Sequence, residues 1–261
     1  MIDITKAKKE FKKYVEKYDI NNPKIKLKIA HIERTSIIAR KMAESLKLSE
    51  EDIELAELIG LLHDIGRFEQ VKIYGTFVDH LSENHAKMGV DILFKDGLIR
   101  NFIEDDKYDR IIELAIINHN RDRKQITKDI SDKEDLHIKL IRDSDKTDIL
   151  YVLTFEDEKS VWESDDIEDE KFTDEIYREF IEKHSIIYKN RKTHADALIG
   201  HFAYAFDFNF DYGLKCALDN KYYDKIYDRV KFKDEETRNR FKEIYNITTN
   251  YIKERVTSDN D

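Results

Sequence analysis

Ile59-Gly60-Leu61-Leu62-His63-Asp64-Ile65-Gly66 decides the reading of this chain. The run is apolar and helical in pattern, and at its end it carries an imidazole and a carboxylate side by side. Charged and metal-binding groups are rarely set in apolar surroundings without a partner to compensate them. Elsewhere His31, His85, His119 and Asp145 each lie on an apolar helical stripe of their own. With His63 and Asp64, these six residues are the raw material of a metal site for one or two ions.

The rest of the chain fits an all-helical setting for that run. Its 261 residues include one proline, seven glycines and 39% charged residues. So little punctuation predicts helices joined by short polar turns, because sheets and sandwiches need many Gly and Pro turns. A hydrophobic fraction of 40% is enough for a packed core. The expected fold class is an all-α, multi-helix bundle with the metal site in its core. It is read as one domain over 1–261, with a metal-binding core at 24–155 and a C-terminal helical extension at 156–261.

Net charge of -10 argues against nonspecific nucleic-acid or anionic-membrane binding, because neutralising phosphates needs a surplus of Lys and Arg. It leaves room for a small phosphorylated substrate held by a divalent ion and local arginines. The single Cys216 rules out an intrachain disulfide and fits a reducing compartment. No apolar run of membrane-spanning length exists, and the first residues do not read as a signal peptide, so a cytoplasmic protein is expected. The sequence does not fix the oligomeric state.

Periodicity places a helix at 2–19 and another from Pro23 to about Leu46, with Leu27, His31, Ile38 and Met42 on one stripe. Ser49 with Asp52 reads as a capping signal for a helix ending near Asp64. Residues 66–80 read as a loop or short helix, followed by a helix from Ser82 to about Lys95. A helix over 106–118 carries Ile112, Ala115, Ile116 and His119 on one face. After a loop at 120–132, a helix over 134–155 aligns Ile138, Ile141, Asp145, Ile149 and Val152. The acidic stretch 156–170 reads as a surface excursion. Helices follow at 172–189, 193–206, 211–228 and 234–255. The alternating aromatics of 202–212 read as helix, turn and helix, and as core rather than a recognition surface.

Imidazole nitrogen and carboxylate oxygen together suit Mn, Fe, Co, Ni or Zn and tolerate Mg. Adjacent helical residues point about 100° apart, so His63 and Asp64 reach one ion only near a helix end. A bridge between two ions is the natural role for Asp64. An ion in such a site acidifies bound water and supplies a hydroxide nucleophile. Singly, each residue has a plainer reading: a histidine satisfied in the core, or Asp145 paired with Arg142 or Lys146. The coincidence of five helices each directing such a group along an apolar side favours the metal site.

The order His31, His63-Asp64, Asp145 resembles the signature of the HD-domain metal-dependent phosphohydrolases. Leu61-Leu62-His63-Asp64-Ile65-Gly66-Arg67-Phe68 is similar to that family's central motif, and Ile141-Arg142-Asp143-Ser144-Asp145-Lys146-Thr147-Asp148 to its terminal motif, in which Asp145 takes the ligand position and Asp143 is the runner-up. The resemblance covers roughly residues 24–155. It implies His31, His63, Asp64 and Asp145 on one ion, and Asp64, His85 and His119 on a second. The Gly-Tyr-Pro signature of the cyclic-di-GMP phosphodiesterase branch is absent. The implied activity is hydrolysis of a phosphate ester, in a nucleotide or another small phosphate, with Asp64 catalytic. Arg67 and Lys146 are candidate phosphate clamps, both also readable as solvated surface groups, a reading that Lys146 fits slightly better, and Arg34 is a third candidate.

Two other functions compete. The oxidative branch of the same fold uses a mixed-valence di-iron centre with a similar ligand set, and a non-catalytic ligand-binding protein would keep the fold but lack a ligand residue. Of the remaining histidines, His194 and His201 share a stripe with Ala197 and Leu198 and read as packing. His80 lies in a loop near His85, and His137 and His184 read as surface groups.

Overall fold

The computed structural model describes residues 2–156 and 166–258; its described residues form helices and turns without a strand. The chain clusters into two compact units, Met1–Asp148 and Ile149–Asp261. The division falls inside one long helix, a few residues before the boundary at 155/156 read from the sequence, and the first unit includes the residues ahead of 24.

In the first unit, α1 (Ile4–Val15) starts where the Asp3 side chain accepts from the Lys6 N–H. It buries Ala7, Phe11, Tyr14 and Val15, the i, i+4, i+7, i+8 face of an amphipathic helix. α2 (Pro23–Ser45) begins with Asn22 accepting from Lys24 N and Pro23 in the first turn, where its missing N–H costs nothing. α3 (Glu50–Leu62) is capped by Ser49, and three acids in its first turn complement the helix dipole. α2 packs along α3. Gly60 permits this approach, since a Cβ there would stand 2.7 Å from Ser36 Cα.

α3 ends at Leu62, so His63 is its C-cap and Asp64 lies in the following turn. α4 (Gly66–Tyr74) follows directly and stops at Gly75, whose φ of 69° is left-handed. Residues 66–80 are therefore mostly helix. α5 (His85–Val90) is shorter than expected: Asn84, not Ser82, caps it, and Asp91–Lys95 continues as a π-helical turn. α4 and α5 pack closely, because Gly66 lets two backbones meet; a Cβ there would come within 2.3 Å of the His85 carbonyl oxygen. α6 (Ile99–Phe102) packs on α1. α7 (Asp109–Asn118) ends one residue before His119, and α8 (Asp132–Phe155) begins two residues earlier than its pattern indicated.

The second unit is built around the long helix Glu235–Ser258, which contacts Asp174–Ile181, His194–Phe202, Asp211–Asp219 and Tyr222–Arg229. Phe241 gathers the rings of Phe172, Phe202 and Phe232 around it. The expected helix at 172–189 stops at Ile181, and that at 211–228 breaks at Asn220 and Lys221, the latter at φ 54°. Phe202, Phe206 and Phe208 are buried, so the aromatic run is core as expected. His194 is exposed against Glu170, and the buried stripe of its helix is Ala195, Leu198, Ile199 and Phe202 instead. Much of the acidic stretch 156–170 lies outside the described residues.

Candidate metal centre

Five segments of the first unit converge on one cluster. His31 comes from α2, His63 and Asp64 from the end of α3, His85 from the first position of α5, His119 from the end of α7, and Asp145 from α8. All but Asp145 are buried, and its side chain is 17% exposed. Their donor atoms make three groups able to hold a metal ion: His31, His63 and Asp64; Asp64, His85 and His119; and His63, His119 and Asp145.

Asp64 sits between two histidine pairs. Its Oδ2 is 3.6 Å from Nε2 of both His31 and His63, and its Oδ1 is 3.3 Å from His85 Nε2 and 3.6 Å from His119 Nε2. Asp145 Oδ1 faces the first pair, 3.1 Å from His31 Nε2 and 3.7 Å from His63 Nε2. Ligand atoms about 2.1 Å from a shared ion stand about 3.0–3.4 Å from one another, so the spacing is close to that of a coordination shell.

Every imidazole turns the same nitrogen inward. His63 Nδ1 donates to the Gly60 carbonyl at 2.8 Å and His119 Nδ1 to the Ile116 carbonyl at 2.6 Å. Both acceptors are last-turn carbonyls, where the regular helical donors run out; the Ile116 carbonyl also accepts from the His119 N–H at 3.4 Å. His85 Nδ1 donates to Asp79 at 2.8 Å and His31 Nδ1 to Asp148 at 2.7 Å. A carbonyl or carboxylate can only accept, so each ring carries its proton on Nδ1 and leaves Nε2 for an ion.

Three features fit these residues to a divalent ion. His63 Nε2 and Asp64 Oδ1 are buried without a hydrogen-bond partner among the described residues. Nε2 of His85 and Nε2 of His119 stand 3.0 Å apart, lone pair toward lone pair. The mixed nitrogen and oxygen donor set is one that divalent transition metals favour. The cluster could therefore hold a metal ion.

The electrostatics follow from burial and neighbours. Burial works against the Asp64 charge, but Lys28, His63, His119 and Arg67 outweigh it and hold the carboxyl well below its usual range. Asp145 is likewise held low, by His31 and His63 against its own burial. Burial, with the nearby Arg67 charge, pushes His85 down to about 3, and burial lowers His63. His31 goes the other way: burial and Lys28 favour its neutral form, but Asp145 and Asp148 raise it overall.

Of the expected phosphate clamps, Arg67 reaches the cluster, its Nε 3.6 Å from Asp64 Oδ1. Lys146 is buried rather than solvated, and its Nζ meets the Arg142 carbonyl one turn back on α8 at 3.4 Å. Arg34 binds Asp148 through Nε and Nη2 at 2.6 and 3.0 Å, which fixes the carboxylate that holds His31. Asp145 pairs with histidine rather than with Arg142 or Lys146, and Asp143, the runner-up ligand, belongs to none of the metal-capable groups. His80 and His184 are exposed. His137 is not a surface group: it is fully buried, with Nε2 3.2 Å from Asp52.

Four supporting residues escaped the sequence reading. Asp148 lies three residues after Asp145 on the same helical face, a spacing that gave a usable signal. Lys28, three before His31, donates to Asp64 Oδ2 at 2.7 Å. Arg142 donates to the carbonyls of Asn118, His119 and Arg121 and so holds the chain at His119. Asp79 comes from the turn between α4 and α5 and has no periodic pattern to betray it.

Residues 29–150 match the family described as HD domain. No curated protein and no solved structure matches the chain.

Proposed function

We propose that the protein, whose residues 29–150 match the HD domain family, is a metal-dependent phosphohydrolase acting on a small phosphate ester, a nucleotide among the candidates. The observation that carries the reading is the common orientation of four imidazoles around Asp64, each with Nδ1 tied and Nε2 turned inward. His31, His63, Asp64 and Asp145 would hold one divalent ion, and Asp64, His85 and His119 a second. A bound ion supplies Lewis-acid polarisation of the phosphoryl group and a water of lowered pKa.

The chain's own residues do the rest. Asp64, kept ionised by Lys28 and Arg67, offers one oxygen to each half of the cluster. Asp79 and Asp148 keep His85 and His31 in the tautomer that can bind metal. Arg67, with Nη1 anchored on the Phe77 carbonyl at 2.5 Å, Gln70 and Asp79, is placed to meet negative charge as it develops.

The test is metal content by plasma mass spectrometry, on protein purified without chelator or affinity resin, together with turnover of a generic phosphate ester. Metal-dependent turnover that Asp64→Ala abolishes is the expected result. Turnover that persists in that variant overturns the assignment. Two irons per chain with the paramagnetic signal of a coupled Fe(II)/Fe(III) pair would move the same ligand set to oxidative chemistry.

A further inference from the structure

Lys28 stands apart from the other cations of the first unit. Its side chain is 15% exposed, its Nζ lies 2.7 Å from Asp64 Oδ2, and the Phe77 ring centroid is 5.2 Å away. Asp64 is its one ionic partner among the described residues. At the other oxygen of the same carboxylate stands Arg67, whose buried Nε has no hydrogen-bond partner among the described residues. Arg67 Nη1 is fully committed to Gln70, Phe77 and Asp79, and its Cζ lies 5.6 Å from the same Phe77 centroid. Two cations therefore flank Asp64, one at each oxygen, and both lie beside the Phe77 ring.

An ion that takes Asp64 Oδ2 competes with Lys28 for that oxygen. A largely buried ammonium stripped of its counter-charge is costly, so a replacement anion is favoured there. The Phe77 ring limits solvent beside both charges, which strengthens their pull on an anion. Resting on the phosphohydrolase reading above, we propose that Lys28 and Arg67 Nε form a two-sided seat for the substrate's phosphate, with Lys28 as a binding residue that selects a dianionic phosphomonoester over a monoanionic diester. Lys28 supplies a mobile point charge and Arg67 a fixed directional donor, so the two are not redundant.

The experiment uses the full chain loaded with Mn²⁺. Inorganic phosphate is titrated by calorimetry into the wild type, Lys28→Met and Lys28→Arg, with metal content and circular dichroism recorded for each. The expected result is wild-type metal content in Lys28→Met, phosphate binding weakened about tenfold, and recovery to within about threefold in Lys28→Arg. The preference for p-nitrophenyl phosphate over bis(p-nitrophenyl) phosphate should shrink about tenfold in Lys28→Met. Unchanged phosphate affinity in a folded Lys28→Met protein, whether metal binding is unchanged or tighter, overturns the proposal and leaves Lys28 a counter-ion of Asp64. If Lys28→Met does not fold, Lys28→Gln takes its place under the same criteria. Failure of the hydrolase reading looks different: a metal-loaded wild type that turns over neither ester removes the substrate, and the proposal with it.

Discussion

His85 and His119 face each other with their Nε2 atoms 3.0 Å apart, while Asp79 and the Ile116 carbonyl already occupy their Nδ1 protons. Two imidazole lone pairs at that separation repel unless a cation lies between them. The metal-free protein should therefore be markedly less stable than the loaded one. At metal concentrations about a hundredfold above Kd the gain is about 2.7 kcal/mol, or roughly 5–10 °C in Tm for a chain of this size. Calorimetry with and without chelator checks this, and an unchanged Tm would count against an ion in the cluster.

Asp79→Ala should weaken metal binding on the His85 and His119 side by about 10–100-fold, the usual effect of losing the carboxylate that orients a histidine ligand. The His31 and His63 side, held by Asp148 and Gly60, should keep its ion. The stoichiometry would then fall from two to one. Equal loss from both sides would show that Asp79 does not act through His85.

Gly66→Ala tests how the close approach of α4 and α5 sets His85. The new Cβ would meet the His85 carbonyl oxygen at 2.3 Å and Gly89 N at 2.6 Å, both backbone atoms that cannot swing aside. A destabilisation of about 3 kcal/mol is expected in denaturant titration. Loss of metal affinity should accompany it, because α5 starts at His85. A fully stable variant would mean that the two helices separate freely.

Arg142→Met removes the guanidinium that meets three carbonyls around His119. Arg142 is 4% exposed, so the abandoned carbonyls stay largely dry and the cost should be about 2–3 kcal/mol. Amide exchange between Asn118 and Arg121 should speed up while α3 remains protected. Uniform deprotection of both would argue for a general loss of packing.

Acidification should destabilise the metal-free protein between pH 6.5 and 5. Burial holds His85 down to about 3, and His63 and His137 also lie below the ordinary histidine value. Below pH 6.5 the unfolded chain takes up protons that the folded chain refuses, so stability is lost as pH falls. His85 alone accounts for about 2 kcal/mol at pH 5. His31 opposes this: its pKa is raised, so its stabilisation is fully present below 6.5 and is lost as pH rises through its folded value. His201 is likewise held at about 3 by burial, and the largely exposed His184 is raised by Ser185 and Glu182. Four histidines held low against two raised give a net loss, read as a Tm that drops from pH 7 to pH 5. A flat Tm across that range would show that these rings are protonated within the fold.

Short local signals were legible from the residues alone. Asn22-Pro23 and Ser49 start α2 and α3 as read, and the paucity of Pro and Gly gives an all-helical chain. The six residues singled out as metal ligands come together because each rides an apolar helical stripe, and such a stripe has one place to go, the core. Periodicity failed where one element gives way to another inside an amphipathic run. The π-helical turn after Val90 and the break at Lys221 keep the apolar spacing and change only the backbone hydrogen bonds.

The sequence by itself determined the helices, the donor types and the helices that carry them. Only the tertiary structure decided that Asp64 presents one oxygen to each histidine pair, that Asp79 and Asp148 hold two of the rings, that Lys28 caps Asp64, and that His137 is buried against Asp52. The physical reason is range. A helical stripe is a local property, written at three- and four-residue spacing along one segment. A hydrogen bond from His31 to Asp148 spans 117 residues of chain, and its partners are polar groups whose burial is set by packing rather than by any period in the sequence.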